Sequence, residues 1–449
     1  MKKFVASVGL VALGAGAAHA QYAPGLSPLE TSKAWSLSAD LRGFYDDNYL
    51  TVPKQFKQST WGTEVSPSAA VNHSTPDTLI SASYIYDLRW YANHPSPGSA
   101  LDQSHQFNAR FEHQFNERYK LSLNDSFVVA QEPTVLDPTI VSTPLRESGN
   151  NVRNTASADF TAVLSRLFDL HLGYANTFYE FQQEGPDVFG YPFDPATGNS
   201  VALGAAAPFV PSRAAALDAM NQLATVDLRW KATPDTTGVF GYQYGHVDYT
   251  SSEYIILPDA AAGQPGYKSD IRNTDSHYVF VGVDESFTPD LSGSIRVGGE
   301  YLDYYKIHTS RLSPYVDASL KWQFTPQSSA QVGVKHMHSS SDVTGYSSPV
   351  LDVDTTAAYA SVNHHITDRF TIGAMGQAQW SNFVDGDSQG IGSIDGDRDD
   401  FYVAGINLAY HFNPWFLAEA GYDFSRLDSQ IQFRSYTRNQ VYFGVRGTY

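Results

Sequence analysis

Near the C-terminal end, Val441, Phe443, Val445, Gly447 and Tyr449 alternate with Gln440, Tyr442, Gly444, Arg446 and Thr448. The same two-residue period runs through Phe416, Ala418, Ala420, Tyr422 and Phe424. It returns in Pro314, Val316, Ala318, Leu320, Trp322 and Phe324, and in Trp35, Leu37, Ala39 and Leu41. Successive side chains of a strand point to opposite faces, so each segment has one apolar and one polar face. The segments run about 11–15 residues, longer than globular strands and long enough to cross a bilayer at a tilt. One residue breaks the pattern. Asp125 falls on the apolar parity of Leu121, Leu123, Phe127 and Val129, which calls for a bulge or a different strand boundary.

Short and long connections take turns between the segments. The short ones include Thr75-Pro76-Asp77, Asn116-Glu117-Arg118, Thr233-Pro234-Asp235, Thr288-Pro289-Asp290 and Asn413-Pro414-Trp415. Between them lie mostly longer ones, such as 46–60, 131–152, 183–221, 251–274 and 383–397. Short periplasmic turns opposite long external loops are the layout of an outer-membrane barrel. The expected fold is therefore all-β, a transmembrane antiparallel up-and-down barrel of about 18 strands. All seven tryptophans fall at a strand end or in a turn, where headgroup belts lie, rather than mid-strand as in a soluble sandwich.

Lys2 and Lys3, a short apolar run from Phe4 to Ala17, and Ala18-His19-Ala20 read as an export signal. The expected organisation is a signal over 1–20, a short periplasmic extension over 21–33 and a barrel over 34–449. With Lys2 and Lys3 removed, 27 of the 29 basic residues remain against 47 acidic ones, a formal charge of −20. That balance argues against nucleic acid as a partner. Cysteine is absent, so no disulfide framework exists. The negative mean hydropathy fits a barrel, whose strands show lipid only every second side chain.

The faces read as inward carry Asp40, Arg42, Asp87, Arg89, Arg110, Glu112, Asp159, Asp227, Arg229 and Asp284. They continue with Arg296, Glu300, Asp317, Lys321, Lys335, Glu419, Asp423 and Arg446. Dry burial of so many charges would be costly, whereas lining water costs little, and about eighteen strands make a ring wide enough for an aqueous channel. These residues are the expected pore lining.

Leu41-Arg42-Gly43-Phe44-Tyr45-Asp46-Asp47-Asn48, followed by Val65-Ser66-Pro67-Ser68, resembles the putative β-barrel porin-2 type outer-membrane proteins. Phe107-Asn108-Ala109-Arg110-Phe111-Glu112-His113 and Leu121-Ser122-Leu123 look similar too. The resemblance implies a barrel in the outer membrane and implies no substrate. Some members of that family are associated with extracellular polysaccharide or surface-export systems.

Other motifs weigh less. His336 and His338 share a strand face, but no third metal ligand stands beside them. Asp385, Asp387, Asp395, Asp397 and Asp399 share one external loop, yet the twelfth-position Glu of a calcium loop is missing. Ser361 and Asn363 near His364 and His365 do not make a triad, and neither Gly-x-Ser-x-Gly nor His-Glu-x-x-His occurs. No cofactor and no enzyme activity are expected. A plugged importer is disfavoured because 21–33 is too short for a plug.

The function expected is passive passage of small solutes. The alternatives are a non-conducting barrel within a surface polysaccharide or export system and, behind it, a rim-site enzyme. Outer-membrane lipid, small solutes and the barrel-assembly machinery are the expected partners. Tyr449 resembles the C-terminal aromatic signal that machinery reads. Within 183–221, Val201–Val210 is largely apolar, and Ser212 is placed to cap a short helix from Arg213 to Met220, which suggests a segment that either folds into the barrel mouth or meets a partner protein or neighbouring protomer.

Overall fold

The computed structural model describes residues 33–49, 51–93, 101–130, 151–182, 211–258, 265–388, 392–431 and 434–449, with backbone alone at 193–194 and 199–200. The export signal, most of the N-terminal extension and the apolar run 201–210 lie outside the described residues. Eighteen strands form one closed antiparallel ring. They are β1 (Trp35–Asp46), β2 (Thr60–Ser74), β3 (Thr78–Tyr91), β4 (Leu101–Gln114), β5 (Tyr119–Ala130) and β6 (Asn151–Val163). Next come β7 (Phe168–Phe181), β8 (Ala219–Lys231), β9 (Thr236–Tyr249), β10 (Thr274–Thr288), β11 (Leu291–Tyr304) and β12 (Thr309–Thr325). The ring is completed by β13 (Ser328–Ser339), β14 (Asp352–His365), β15 (Phe370–Val384), β16 (Arg398–Asn413), β17 (Phe416–Ser429) and β18 (Tyr436–Thr448). Each strand pairs with its chain neighbour, and β1 pairs with β18, from Ser38 opposite Thr448 to Asp46 opposite Gln440.

Hydrophobic alternation drives the closure. Along β1, Ser36, Ser38, Asp40, Phe44 and Asp46 are buried while Trp35, Leu37, Leu41 and Tyr45 are at least half exposed. Val279, Val281, Ile295, Val297, Leu320, Val332, Ile406 and Phe443 extend that exposed apolar surface around the ring. No soluble chain carries so large an apolar belt; in a bilayer it faces lipid. No helix among the described residues is long and apolar enough to cross a membrane, so the crossing is made by strands.

The short turns are built by side chains. Thr75 Oγ1 accepts the Thr78 amide at 3.0 Å, and Thr233, Thr288 and Thr367 each accept the amide three residues on. Asn116 and Asn413 hold their turns the same way. A hydroxyl or carboxamide bonding its own backbone two or three residues ahead fixes a tight turn, which is why Thr-Pro-Asp recurs at this end. Trp35, Trp230, Trp322 and Trp415 belt the same end. One external connection departs from the expected layout: β11 and β12 are joined by only residues 305–308.

Both explanations expected for Asp125 fail. Pairing of β5 with β4 and β6 is unbroken, with Asp125 opposite Ala109 and Ala156. The carboxylate stands on the outer face, where Asn154 Nδ2 donates to it at 2.9 Å.

The faces give a direct test. Arg at outward Leu320, Ala374 or Ala420 is expected to cost about 2–4 kcal/mol near the midplane. Arg at inward Ser319 or Gln377 should be better tolerated. Gly421, also inward, does not belong with them, because a Cβ there would lie 2.2 Å from the Tyr442 ring. Urea unfolding in lipid vesicles measures the difference; equal losses from both sets would mean the faces are exchanged.

Candidate functional site

A charged belt crosses the inner wall where the first and last strands meet. Arg42 projects from β1 between two carboxylates. Its Nη1 donates to Glu64 Oε1 at 3.2 Å, and its Nε donates to Glu419. Reaching Glu419 on β17 means crossing β18, where the residue opposite Arg42 is Gly444. A Cβ at Gly444 would sit 2.5 Å from Arg42 Cγ, so only glycine leaves room for the arginine stem. The guanidinium also lies 4.9 Å from the centre of the Tyr442 ring, a cation–π distance.

On the other side of Glu64, Arg89 Nη2 approaches Glu64 Oε2 at 2.6 Å and Arg89 Nε approaches Asp87 at 3.3 Å. Ser66 Oγ donates to Asp87 at 2.5 Å. Arg446 and Asp40 face each other across the same seam at 3.5 Å. Nearer the external end, Arg438 Nε donates to Asp46 at 2.8 Å. The signs alternate around the wall as Glu419, Arg42, Glu64, Arg89, Asp87.

This belt corrects one expectation. Glu64, Asp87 and Arg89 side chains are only 3–5% exposed, so these charges face one another rather than open water. Buried, they are tolerable because each is paired and hydrogen bonded. Arg110 differs from them, its side chain 44% exposed beside Glu112 and Lys120, and Lys321 is exposed as well.

Elsewhere on the wall the expected residues also take the inward parity. His171 lies between Asp159 at 3.1 Å and Asp227 at 3.6 Å, with Arg229 3.9 Å from Asp227. Arg296 donates to Asp284 at 2.7 Å, and Arg296, Asp317 and Lys335 are direct cross-strand neighbours. Glu300, fully buried, accepts the His338 backbone amide at 3.3 Å. Asp423 is inward on β17 with Glu419.

Glu64, His171 and Arg438 went unnamed in the sequence, although period-two parity with Gly62, Ser68 and Tyr442 could have found Glu64 and Arg438. The inner face is not purely polar either. Val239, Tyr278, Phe280 and Tyr315 form a buried inward cluster, with Leu223 and Met337 against it.

The external mouth is partly bridged. Ser212 caps helix α1 (Arg213–Leu217) by accepting the Ala215 amide at 2.9 Å. The helix stops earlier than the spacing suggests, because β8 pairing begins at Ala219. Ala215 packs on Ile255, Ile256 and Ile271 of the next external loop. Arg272, 1% exposed, donates to the carbonyls of Ala215 at 3.3 Å, Ala216 at 2.7 Å and Ser341 at 3.2 Å, and lies 4.0 Å from the Tyr249 ring centre. It thereby joins three external segments. No periodicity marks a loop residue of this kind, so sequence reasoning had no signal for it.

The weaker candidates disperse. Asp387 is taken up by Ser347 and by the amides of Tyr346, Ser347 and Ser348. Burial works against ionising it, yet these donors hold its carboxyl below the usual carboxylate range. Asp395 accepts the Asp385 amide, and Asp399 accepts Arg434 Nε at 2.7 Å. Among the described residues no three acidic or histidine side chains converge as a metal site. His336 and His338 are each within 3.2 Å of a different carboxylate, Asp354 and Asp352. His364 meets Ser328 at 3.0 Å on the face opposite Ser361, and His365, on the face of Ser361, is engaged by the Gln327 carbonyl at 2.8 Å rather than by Ser361.

Residues 259–449 match the model of the family described as Putative beta-barrel porin 2, in line with the resemblance seen in the sequence. No curated protein matches the chain. Among solved structures, OccAB4 of Acinetobacter baumannii aligns over 94% of this chain and 100% of its own, at 10% identity and TM-score 0.43. OpdQ of Pseudomonas aeruginosa aligns over 92% and 97%, at 9% identity and TM-score 0.39. The siderophore receptor PiuA of Acinetobacter baumannii aligns over 93% and 82%, at 10% identity and TM-score 0.45. Likeness of that degree adds nothing to a barrel already defined by its own strand pairing. The chain is an outer-membrane β-barrel with a porin-family match over its later strands.

Proposed function

We propose that this barrel passes small solutes passively through a water-filled interior. The observation that supports the reading is the closed ring of eighteen strands, apolar outside and carrying charges of both signs inside. Barrels of this strand number are wide enough for an aqueous lumen. On this reading the solute meets the accessible heads of Arg110, Glu112, Lys120 and Lys321, while the belt of Arg42, Glu64 and Arg89 stiffens one wall. Catalysis has no part in it. Single-channel recording in planar bilayers, with swelling of proteoliposomes in solutes of graded size, tests it. Stepwise conductance and size-limited swelling are expected. A folded, heat-modifiable barrel that neither conducts nor admits solute would overturn the proposal.

One observation favours the second reading, a barrel that serves a surface polysaccharide or export system. Packed external segments reach from α1 to the loops before β10 and after β13. A blocked mouth would leave the barrel an anchor rather than a channel, and the same recordings separate the two.

We also propose that Tyr449 belongs to the signal read by the barrel-assembly machinery. It is 72% exposed, its ring centre is 5.5 Å from that of Trp35, and its backbone exchanges two hydrogen bonds with Leu37. Deleting it is expected to lower folded yield in the outer membrane while leaving export across the inner membrane intact. Undiminished yield would refute the role.

A further inference from the structure

Lipid should meet only apolar side chains between the two headgroup belts, and on β5 it meets a carboxylate. The outward residues of β5 are Tyr119, Leu121, Leu123, Asp125, Phe127 and Val129. Asp125 is six residues above Tyr119, which at strand rise and barrel tilt is about 15 Å along the membrane normal. The apolar band of such barrels is about 25 Å tall, so Asp125 stands well inside it.

Asp125 is half-buried on this face, and its neighbours cover it only in part. The cross-strand residues are Ala109 on β4 and Ala156 on β6, both too short to screen a carboxylate. Beyond Ala156 stands Asn176 on β7. Asn154, outward on β6, gives Asp125 one amide proton at 2.9 Å. Among the described residues its second amide proton and its carbonyl oxygen meet no other partner. Polar and ionisable groups at this depth are expensive against lipid and are kept where they meet protein.

We propose that the outer face of β4–β6 is a contact between two copies of this chain, related by a two-fold axis along the membrane normal. The chemistry is self-complementary. A carboxylate with spare lone pairs and a carboxamide with a spare donor stand side by side, so each copy offers what the other lacks. The alanines beside Asp125 leave the carboxylate reachable, and the exposed rings of Phe107 and Phe127 next to it supply apolar surface for the contact. A two-fold contact presents the same patch from both copies, as a pair of this kind needs.

The chain contains no cysteine, so Ala156→Cys places a single thiol on this face. Ala374→Cys does the same on the outer face of β15, nine strands from β6 and so on the opposite side of the ring. Oxidation in native membranes is expected to give a dimer-sized band with Ala156→Cys and none with Ala374→Cys. Light scattering of the wild-type protein in mild detergent should give the mass of two chains. Adding Asp125→Leu and Asn154→Leu should abolish the Ala156→Cys band and leave a monomeric, still heat-modifiable barrel. A monomeric wild-type protein with no selective cross-link overturns the proposal, and so does a dimer that survives both leucine substitutions. Should the leucine variant fail to fold, the wild-type mass and the two single-cysteine cross-links decide the matter alone.

Discussion

Replacing Glu64 with alanine is expected to destabilise the barrel by about 3–5 kcal/mol, the usual cost of breaking a buried ion pair by removing one partner. Glu64 holds Arg42 at 3.2 Å and Arg89 at 2.6 Å, and its side chain is 3% exposed. Its loss leaves two guanidinium groups facing each other with Glu419 and Asp87 as their remaining partners. Glu64→Gln keeps the shape and loses the charge, so it should fall between wild type and Glu64→Ala. The converse experiment is sharper. Arg42→Met, Arg89→Met, Asp87→Asn and Glu419→Gln added to Glu64→Ala take out every charge of this chain of contacts and should restore much of the loss, because a whole buried ion network can often be exchanged for uncharged groups. Gly444→Val should resemble a mild form of the same lesion by pushing the Arg42 stem off β18. Urea unfolding followed by tryptophan fluorescence gives the values. A Glu64→Ala barrel within about 1 kcal/mol of wild type would mean that water reaches these charges, as for exposed pairs.

That experiment turns on burial, where the sequence was least informative. Strand number, direction of pairing and the inward parity of Asp40, Arg42, Asp87 and Arg89 could be read from a period of two, because parity is a local property of the chain. Glu64 has the same parity and passed unnoticed, and nothing in its neighbours says that it meets Arg42 and Arg89. Which inward charges face water and which face one another depends on side chains from strands far apart in sequence: Arg42 and Glu419 are 377 positions apart. Inward Phe44 and Phe280 are a second case, since apolar residues on the polar parity look like noise until a glycine on the next strand receives the ring. A Cβ at Gly62 would lie 2.5 Å from Phe44, and one at Gly241 2.1 Å from Phe280. Asp125 was legible as an exception but not as a feature, because alternation alone cannot separate a bulge from a polar group placed deliberately on the outer face.

Arg272→Met is expected to loosen the external mouth without unfolding the barrel. The guanidinium serves the carbonyls of Ala215, Ala216 and Ser341, and a buried carbonyl left without its donor costs about 1–3 kcal/mol. Methionine fills much of the same volume but donates nothing, so the loss falls on the contacts between segments rather than on packing. α1 is only five residues long and has no stability of its own at that length. The Ala216 carbonyl then loses its donor, and the Ser212 cap, the Ser269 hydroxyl on the Ala215 carbonyl at 2.6 Å and the contact of Ala215 with Ile255, Ile256 and Ile271 are left to hold the helix. Local opening should follow, read as faster tryptic cleavage after Arg213 with unchanged heat-modifiability. If these segments narrow the lumen, single-channel conductance rises and larger solutes enter the liposomes. Replacing 195–218 with a short Gly/Ser linker should produce the same increase and go further. Both variants remove the same bridge, one at its anchor and one at its span, so they should agree in direction. Faster cleavage with unchanged conductance would place the bridge outside the solute path and favour a surface partner as the reason for it.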